Sequence, residues 1–153
     1  VCLIGNHDCL ATGEYVFKKI FGDINFAFTA GKTRFVCLNT NSREFDHTTS
    51  VPDFSFIKEQ QEIFPAGVVN TVAAMHAPPT SEQFDNNISP YFEYELLSFP
   101  NLLCCIHGHT HHNSAKDLFG DGNIYYGVAS ASKLSYYIFT VFPEGYSYET
   151  IDC

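Results

Sequence analysis

The strongest constraint on the fold is the apolar run at residues 102–106, whose sequence LLCCI contains no charged or hydrogen-bonding side chain other than thiols. A strand that is apolar on both faces has to be covered on both faces, as strands are in parallel sheets. Further β-rich runs stand at residues 1–4, 26–29, 34–38 and 68–75. Because helical patterns separate several of these runs, the sequence predicts a layered α/β (α+β) domain.

Three segments carry apolar residues at helical spacing: residues 14–21, 53–64 and 91–98. Gly22 is placed to end the first helix, and Asp53 is placed to cap the second. The helices therefore fall between strands in the first two thirds of the chain.

The last third has a different pattern, which predicts antiparallel hairpins. Asp121-Gly122 is a turn sequence between two short strands. Residues 135–142 and 146–151 are β-rich, and the turn at residues 143–145 (PEG) separates them. The Tyr and Phe side chains of these two runs are expected to pack within the strands.

Length and composition limit the class of protein. The chain has 153 residues, enough for one domain over residues 1–153, and 45% of them are apolar, which excludes general disorder. Its net charge of −9 makes nucleic acid an unlikely partner, since phosphate backbones need Lys and Arg. No apolar run approaches the roughly 20 residues of a membrane span. The predicted strand at residues 1–4 begins at Val1 itself, so we expect this chain to be part of a longer parent polypeptide.

The six cysteines do not have the spacing of a disulfide framework or of a zinc–thiolate site. Cys2, Cys37, Cys104 and Cys105 lie inside apolar runs, so we expect reduced thiols in the core. Reduced thiols favour a reducing compartment such as the cytoplasm, without fixing the localisation.

Three polar segments directly follow predicted strands. They are Gly5-Asn6-His7-Asp8 (GNHD), the single His76, and Gly108-His109-Thr110-His111 (GHTH). Loops beyond the carboxyl ends of parallel strands line the ligand crevice of α/β sheets. Imidazole is the commonest transition-metal ligand, and the Asn amide supplies a neutral oxygen. Gly108 is expected to allow a tight turn that directs both following histidines to one cluster.

Each segment taken alone has an ordinary explanation. A histidine after a strand is usually a loop residue, and Gly, Asn and Asp are common in turns. The combination, in this order and always at strand ends, favours a metal site. His107 and His112 are expected to be structural or exposed neighbours, and His47 a loop residue. Asn39 and Asn41 can be explained either as residues of the cleft or as turn residues.

These motifs resemble those of the calcineurin-like metallophosphoesterase family, and the resemblance runs over almost the whole chain. It implies an α/β/β/α sandwich, and a hydrolase that cleaves phosphomonoesters or phosphodiesters at a two-metal centre with a metal-bound hydroxide. The metals would be two divalent or trivalent transition-metal ions such as Mn, Fe or Zn.

The resemblance also assigns residues to roles. Asn6, His76 and His109 would bind the second metal, and His111 the first. His7 would contact the substrate phosphate and assist the leaving group, with Asp8 orienting it. The substrate would be a small phosphorylated compound.

The chain departs from the family pattern in one respect. The family's Asp-x-His and Gly-Asp-x-x-Asp motifs, which supply carboxylate ligands, should precede GNHD and are absent. Three pairs that resemble parts of them stand at the wrong place or spacing: Gly22-Asp23, Asp46-His47 and Gly120-Asp121. We therefore expect the C-terminal part of a metallophosphoesterase domain, holding one metal ion or none until a missing N-terminal segment or a second chain completes the site.

A non-catalytic protein-interaction module on the same scaffold, as in the retromer subunit that resembles these phosphatases, is the alternative function. A scaffold without metal has no physical need for this set of ligands, which favours the enzyme for the parent protein. A closed structural zinc site is disfavoured because such sites usually contain cysteine.

Overall fold

The computed structural model of the chain describes residues 1–42 and 50–153. Asp46 and His47 lie outside the described residues. The α-helices are α1 (Gly13–Phe21), α2 (Phe54–Glu62) and α3 (Ser89–Leu97). The strands are β1 (Phe26–Ala30), β2 (Thr33–Leu38), β3 (Asn70–Met75), β4 (Leu102–His107), β5 (Ser114–Asp117), β6 (Ile124–Gly127), β7 (Ser135–Phe142) and β8 (Gly145–Asp152).

The described strands form a mostly parallel sheet of six strands and a separate hairpin. The order in the large sheet is β1-β2-β3-β4-β6-β5. Its four inner strands are parallel to one another, while β1 and β5 join the edges antiparallel. The apolar strand β4 lies between two parallel neighbours, as its sequence predicts. The α/β class is confirmed.

The two faces of this sheet are covered differently. On one face, Ile57 of α2 and Phe92 and Leu96 of α3 pack into the main core and are fully buried. On the other face lies the hairpin β7–β8, whose inward side chains Phe139 and Tyr146 pack around Tyr126 of β6. Helices α2 and α3, the large sheet and the hairpin therefore form three successive layers.

Several local predictions are confirmed. The Asp53 side chain caps α2, accepting hydrogen bonds from the backbone N–H groups of Ser55 and Phe56 at 3.0 and 3.1 Å. α1 ends at Gly22, which has a φ of 94°. The two predicted hairpins form as β5–β6 and β7–β8. Within the described part of the chain, no helix has the length and apolar character needed to cross a bilayer.

The predicted strand at residues 1–4 is wrong. This segment is irregular and pairs with none of the described strands. Ile4 is buried because it packs against Cys9 and Phe17 under α1, so its apolar character does not reflect a place in the sheet. Cys2, expected in the core, is exposed. Cys37, Cys104 and Cys105 are buried free thiols, as expected. Cys9 is also a buried free thiol, and Cys153 is an exposed one.

Candidate metal centre

The adjacent parallel strands β3 and β4 deliver two histidines to the same edge of the sheet. His76 directly follows β3, and His109 lies two residues after β4. Their ring centroids are 5.3 Å apart, and the ring planes are inclined at 73°. Two residues separated by more than thirty positions are thus neighbours because the strands that precede them are parallel and share one carboxyl edge.

The GNHD loop brings a third donor to this edge. Asn6 Oδ1 lies 3.0 Å from His76 Nε2. A hydrogen bond from the protein interior anchors the start of this loop. The buried Asn41 donates from Nδ2 to the backbone oxygen of Ile4 at 2.9 Å. We call Asn6, His76 and His109 the histidine cluster.

Two glycines enclose the His76 ring. A Cβ atom on Gly5 would lie 3.3 Å from His76 Cε1, and one on Gly108 would lie 3.3 Å from His76 Nδ1. Nδ1 therefore packs against backbone, while Nε2 faces Asn6. The glycines at these positions leave room for the ring and fix which nitrogen is turned towards the cluster.

The GHTH turn uses an unusual backbone conformation, but not at its glycine. His109 and His111 have φ values of 61° and 58°, whereas Gly108 is not among the glycines with positive φ. The Thr110 N–H closes the turn by donating to the Gly108 carbonyl at 2.7 Å. The expectation that Gly108 supplies the turn's conformational freedom is therefore wrong, since its role is to make room for His76. A left-handed conformation of a residue with a side chain costs roughly 1–2 kcal/mol and is concentrated at functional sites.

His111 lies at the exposed end of this turn. Its backbone oxygen accepts a hydrogen bond from Lys133 Nζ at 2.7 Å. Its positive charge, when present, would act on His76 and help to lower the pKa of that ring. The structure thus places His111 near the histidine cluster, on the solvent side.

Burial keeps His76 uncharged. Desolvation, and then the neighbouring charge of His109, lower the pKa of His76 to about 4, while Asp8 acts in the opposite direction. At neutral pH the ring is therefore neutral and can offer a nitrogen lone pair to a cation, which a protonated imidazole cannot.

His7 and Asp8 are both exposed, in the short 3-10 helix His7–Cys9 beside the cluster. Asp8 Oδ2 accepts a hydrogen bond from the Gly5 N–H at 2.9 Å and so stabilises the turn. Within the described residues no hydrogen bond joins Asp8 to His7. The role of Asp8 in orienting His7 stays a prediction.

The neighbouring polar residues have structural surroundings. His107 is buried, its Nδ1 lies 2.9 Å from the Gly108 oxygen, and burial lowers its pKa. His112 is exposed. Asn39 and Asn41 are almost fully buried and bond to each other, so they support the GNHD loop from below.

One contact of the site has no counterpart in the sequence analysis. Glu82 Oε1 lies 2.9 Å from His109 Nε2. Glu82 stands in the loop between β3 and α3, outside any motif, and its 27-residue separation from His109 leaves no local signal by which it could be found.

The histidine cluster contains donor types that transition-metal ions bind, namely imidazole nitrogen and amide oxygen. Asn6 Oδ1 and His76 Nε2 are 3.0 Å apart and form a hydrogen bond. Two ligand atoms that each lie about 2.1 Å from one ion, with bonds at a right angle, are also about 3 Å apart. In the part of the chain that the structure describes, no three His, Cys, Asp or Glu side chains are arranged to hold a metal. The cluster is therefore two imidazoles and an amide, without a carboxylate to bridge two ions.

Comparison with models of known protein families and with curated proteins finds no match to this chain.

Proposed function

We propose that this chain carries part of the active site of a metal-dependent phosphoesterase that resembles the calcineurin-like family, hydrolysing a phosphomonoester or phosphodiester. One observation carries the proposal. Asn6, His76 and His109, distant in sequence, meet at the carboxyl edge of a parallel sheet with Asn6 Oδ1 and His76 Nε2 3.0 Å apart.

The chemistry of the cluster supports this function. Asn6, His76 and His109 would hold one ion, with His111 available to a second. A bound divalent cation supplies Lewis acidity and neutralises charge on a phosphoryl group. Among the chain's own residues, His7 is exposed beside the cluster, and in its protonated form it can donate a proton to the leaving oxygen.

A second metal ion needs more than the described residues provide. Two divalent cations about 4 Å apart repel strongly unless an anion lies between them. We propose that Asp-x-His and Gly-Asp-x-x-Asp carboxylates come from an N-terminal segment of the parent protein or from a second chain. Until then the site would hold one ion.

The exposed apolar face of the hairpin supports the idea that the domain has further layers. The outward side chains Tyr136, Ile138 and Phe142 of β7 are 46%, 41% and 47% exposed. A complete α/β/β/α sandwich would cover them and extend the two-stranded sheet.

The substrate we propose is a small phosphorylated compound. The net charge of −9 disfavours long nucleic acids but is compatible with a compact phosphate ester bound through metal ions. The alternative, a protein-interaction module without catalysis, is favoured by the exposed hairpin face and disfavoured by the ligand-type atoms of the cluster.

The test is hydrolysis of p-nitrophenyl phosphate and bis(p-nitrophenyl) phosphate in Mn²⁺, by this chain and by the longer polypeptide that we propose contains it. His109→Ala should abolish hydrolysis and weaken metal binding. His7→Asn should keep metal binding and lower turnover by about 10²–10⁴-fold, the range of a general acid. His112→Ala is the control and should leave both unchanged. Full activity of the His109→Ala protein would contradict the proposal.

A further inference from the structure

The Glu82 carboxylate contacts Nε2 of His109, one of the two histidines of the cluster. Its Oε1 atom lies 2.9 Å from His109 Nε2, and the His109 side chain is 12% exposed whereas that of Glu82 is 77% exposed. The carboxylate thus approaches the ring from solvent. Because Glu82 is exposed, its carboxyl is ionised near neutral pH and can only accept hydrogen bonds.

An anionic carboxylate determines which nitrogen of a neutral imidazole carries the hydrogen. A carboxylate only accepts, so Nε2 of His109 has to be the donor. The lone pair of the neutral ring then lies on Nδ1. Metal-binding histidines usually donate their other ring N–H to a carboxylate or carbonyl, which fixes the tautomer and raises the basicity of the ligand nitrogen.

Glu82 does not belong to the same set of ligands as the two histidines. Among the described residues no three His, Cys, Asp or Glu side chains converge on one point, so Glu82, His76 and His109 do not surround a common position. The carboxylate contacts Nε2, so an ion bound at Nδ1 would lie on a different side of the imidazole ring. Its effect on a bound ion is therefore exerted through the imidazole.

We infer that Glu82 is a positioning residue for the metal centre, which holds His109 as the Nε2–H tautomer and leaves Nδ1 as its ligand atom. The inference rests on the proposed function, since it concerns the same site, and it adds a residue outside the three motifs. It also assigns a role to the loop between β3 and α3, whose Glu82 would set metal affinity without touching the metal.

The tautomer can be measured without metal. Long-range ¹H–¹⁵N NMR of the metal-free chain at pH 7.5 distinguishes protonated from unprotonated ring nitrogens, and His109→Gln identifies the His109 signals. We expect the Nε2–H form in the unchanged chain. In Glu82→Ala the two nitrogens should shift towards the average of a tautomer mixture, and Glu82→Gln, which keeps an acceptor oxygen, should remain close to the unchanged chain.

Metal affinity is the second readout, from titration with Mn²⁺ followed by the EPR signal of the free ion. Loss of an outer hydrogen bond to a ligand typically weakens binding 10–100-fold, and we expect about tenfold for Glu82→Ala because the pair is open to water. Glu82→Gln should lose about threefold or less. Glu62→Gln removes the same charge from α2 and should leave the Mn²⁺ affinity unchanged.

The outcomes separate this inference from the function on which it rests. If the unchanged chain binds Mn²⁺ and Glu82→Ala binds it equally well with unchanged His109 nitrogens, the inference is overturned and the proposed function stands. If Glu82→Ala and Glu62→Gln weaken binding equally, Glu82 acts only through net charge and the inference is also overturned. If the unchanged chain binds no Mn²⁺, the proposed function fails for this chain, and the inference fails with it.

Discussion

Among the described residues, two groups of partly or fully buried polar side chains have different hydrogen-bonding partners and different surroundings. In the core, Glu93 of α3 accepts from Asn123 Nδ2 at 2.8 Å and from the Tyr125 hydroxyl. Asn123 Nδ2 also lies 3.4 Å from the Cys105 thiol. We call Glu93, Asn123 and Tyr125 the core cluster. Both oxygens of its carboxylate have partners, and all three residues are nearly inaccessible to solvent.

The histidine cluster is different. Its members lie on loops at the open edge of the sheet, and they are only partly buried. The atoms that face each other are an amide oxygen and an imidazole nitrogen, both good ligands for a cation. Burial of polar groups alone therefore does not identify a functional site. The core cluster joins α3 to the sheet, whereas the histidine cluster places its polar side chains at an edge that a ligand can reach.

The largest expected effect is on stability, from Glu93→Ala in the core cluster. The change removes the acceptor of two buried donors, on Asn123 and Tyr125, and leaves a cavity. Breaking such a network costs about 3 kcal/mol of unfolding free energy. Urea denaturation followed by far-UV circular dichroism measures it. Glu62→Ala, on the exposed side of α2, should cost less than about 0.5 kcal/mol. A loss below about 1 kcal/mol in Glu93→Ala would show that the core cluster is not structurally important.

Gly108→Ala should cause an intermediate loss of stability and should also weaken the metal site. The new Cβ would lie 3.3 Å from His76 Nδ1, so the ring has to move by a few tenths of an ångström. We expect a loss of about 1–2 kcal/mol, the usual range for tight overpacking, together with weaker Mn²⁺ binding. In a His76→Ala background the stability loss should largely disappear, because the clashing ring is gone. A loss of equal size in both backgrounds would mean that Gly108 is required for another reason.

The core cluster also predicts a pH dependence of smaller size. Burial raises the pKa of Glu93 above its ordinary value of 4.5, although the hydrogen bonds from Tyr125 and Asn123 oppose this. The folded state then holds the proton more tightly than the unfolded state, so stability should fall as the pH rises above about 4.5 and become constant above the folded pKa. Unfolding free energies of the unchanged chain and Glu93→Gln, compared over pH 4.5–8, should differ in slope in this direction. A slope that is the same in both proteins would contradict it.

The smallest stability effect is expected from His76→Ala. Removing this ring leaves Asn6 Oδ1 without its partner, but water can reach the edge of the sheet and replace it. We expect a loss of about 1 kcal/mol or less, well below that of Glu93→Ala. If thermal and urea denaturation instead gave losses as large as those of Glu93→Ala, the histidine cluster would be a second structural cluster.

Features with local signals could be predicted from the sequence. The cap at Asp53 needs only its own backbone neighbours, and strand β4 is recognisable because five successive apolar residues require cover on both faces. The neighbourhood of His76 and His109 could be predicted as well, since residues that follow adjacent parallel strands meet at one edge. The apolar pattern of residues 1–4 wrongly predicted a strand. A strand needs a neighbouring strand to pair with, and apolar character alone does not provide one.

Contacts made by isolated side chains across the fold could not be predicted. Glu82 reaches His109 over 27 positions, and Glu93 reaches Asn123 over 30. Nothing in the sequence distinguishes these two residues, one in a loop and one in a helix, from the other glutamates. The packing of Gly108 against His76 is also invisible there, because it depends on how close two loops approach.

The central claim is that Asn6, His76 and His109 form a metal site, and Mn²⁺ stoichiometry tests it most directly. The chain would be loaded with Mn²⁺, freed of unbound ion by gel filtration and analysed by atomic emission, beside His76→Ala and the control His112→Ala. We predict one ion per chain, lost in His76→Ala and retained in His112→Ala. Equal manganese in all three proteins, or none in any of them, would contradict the claim.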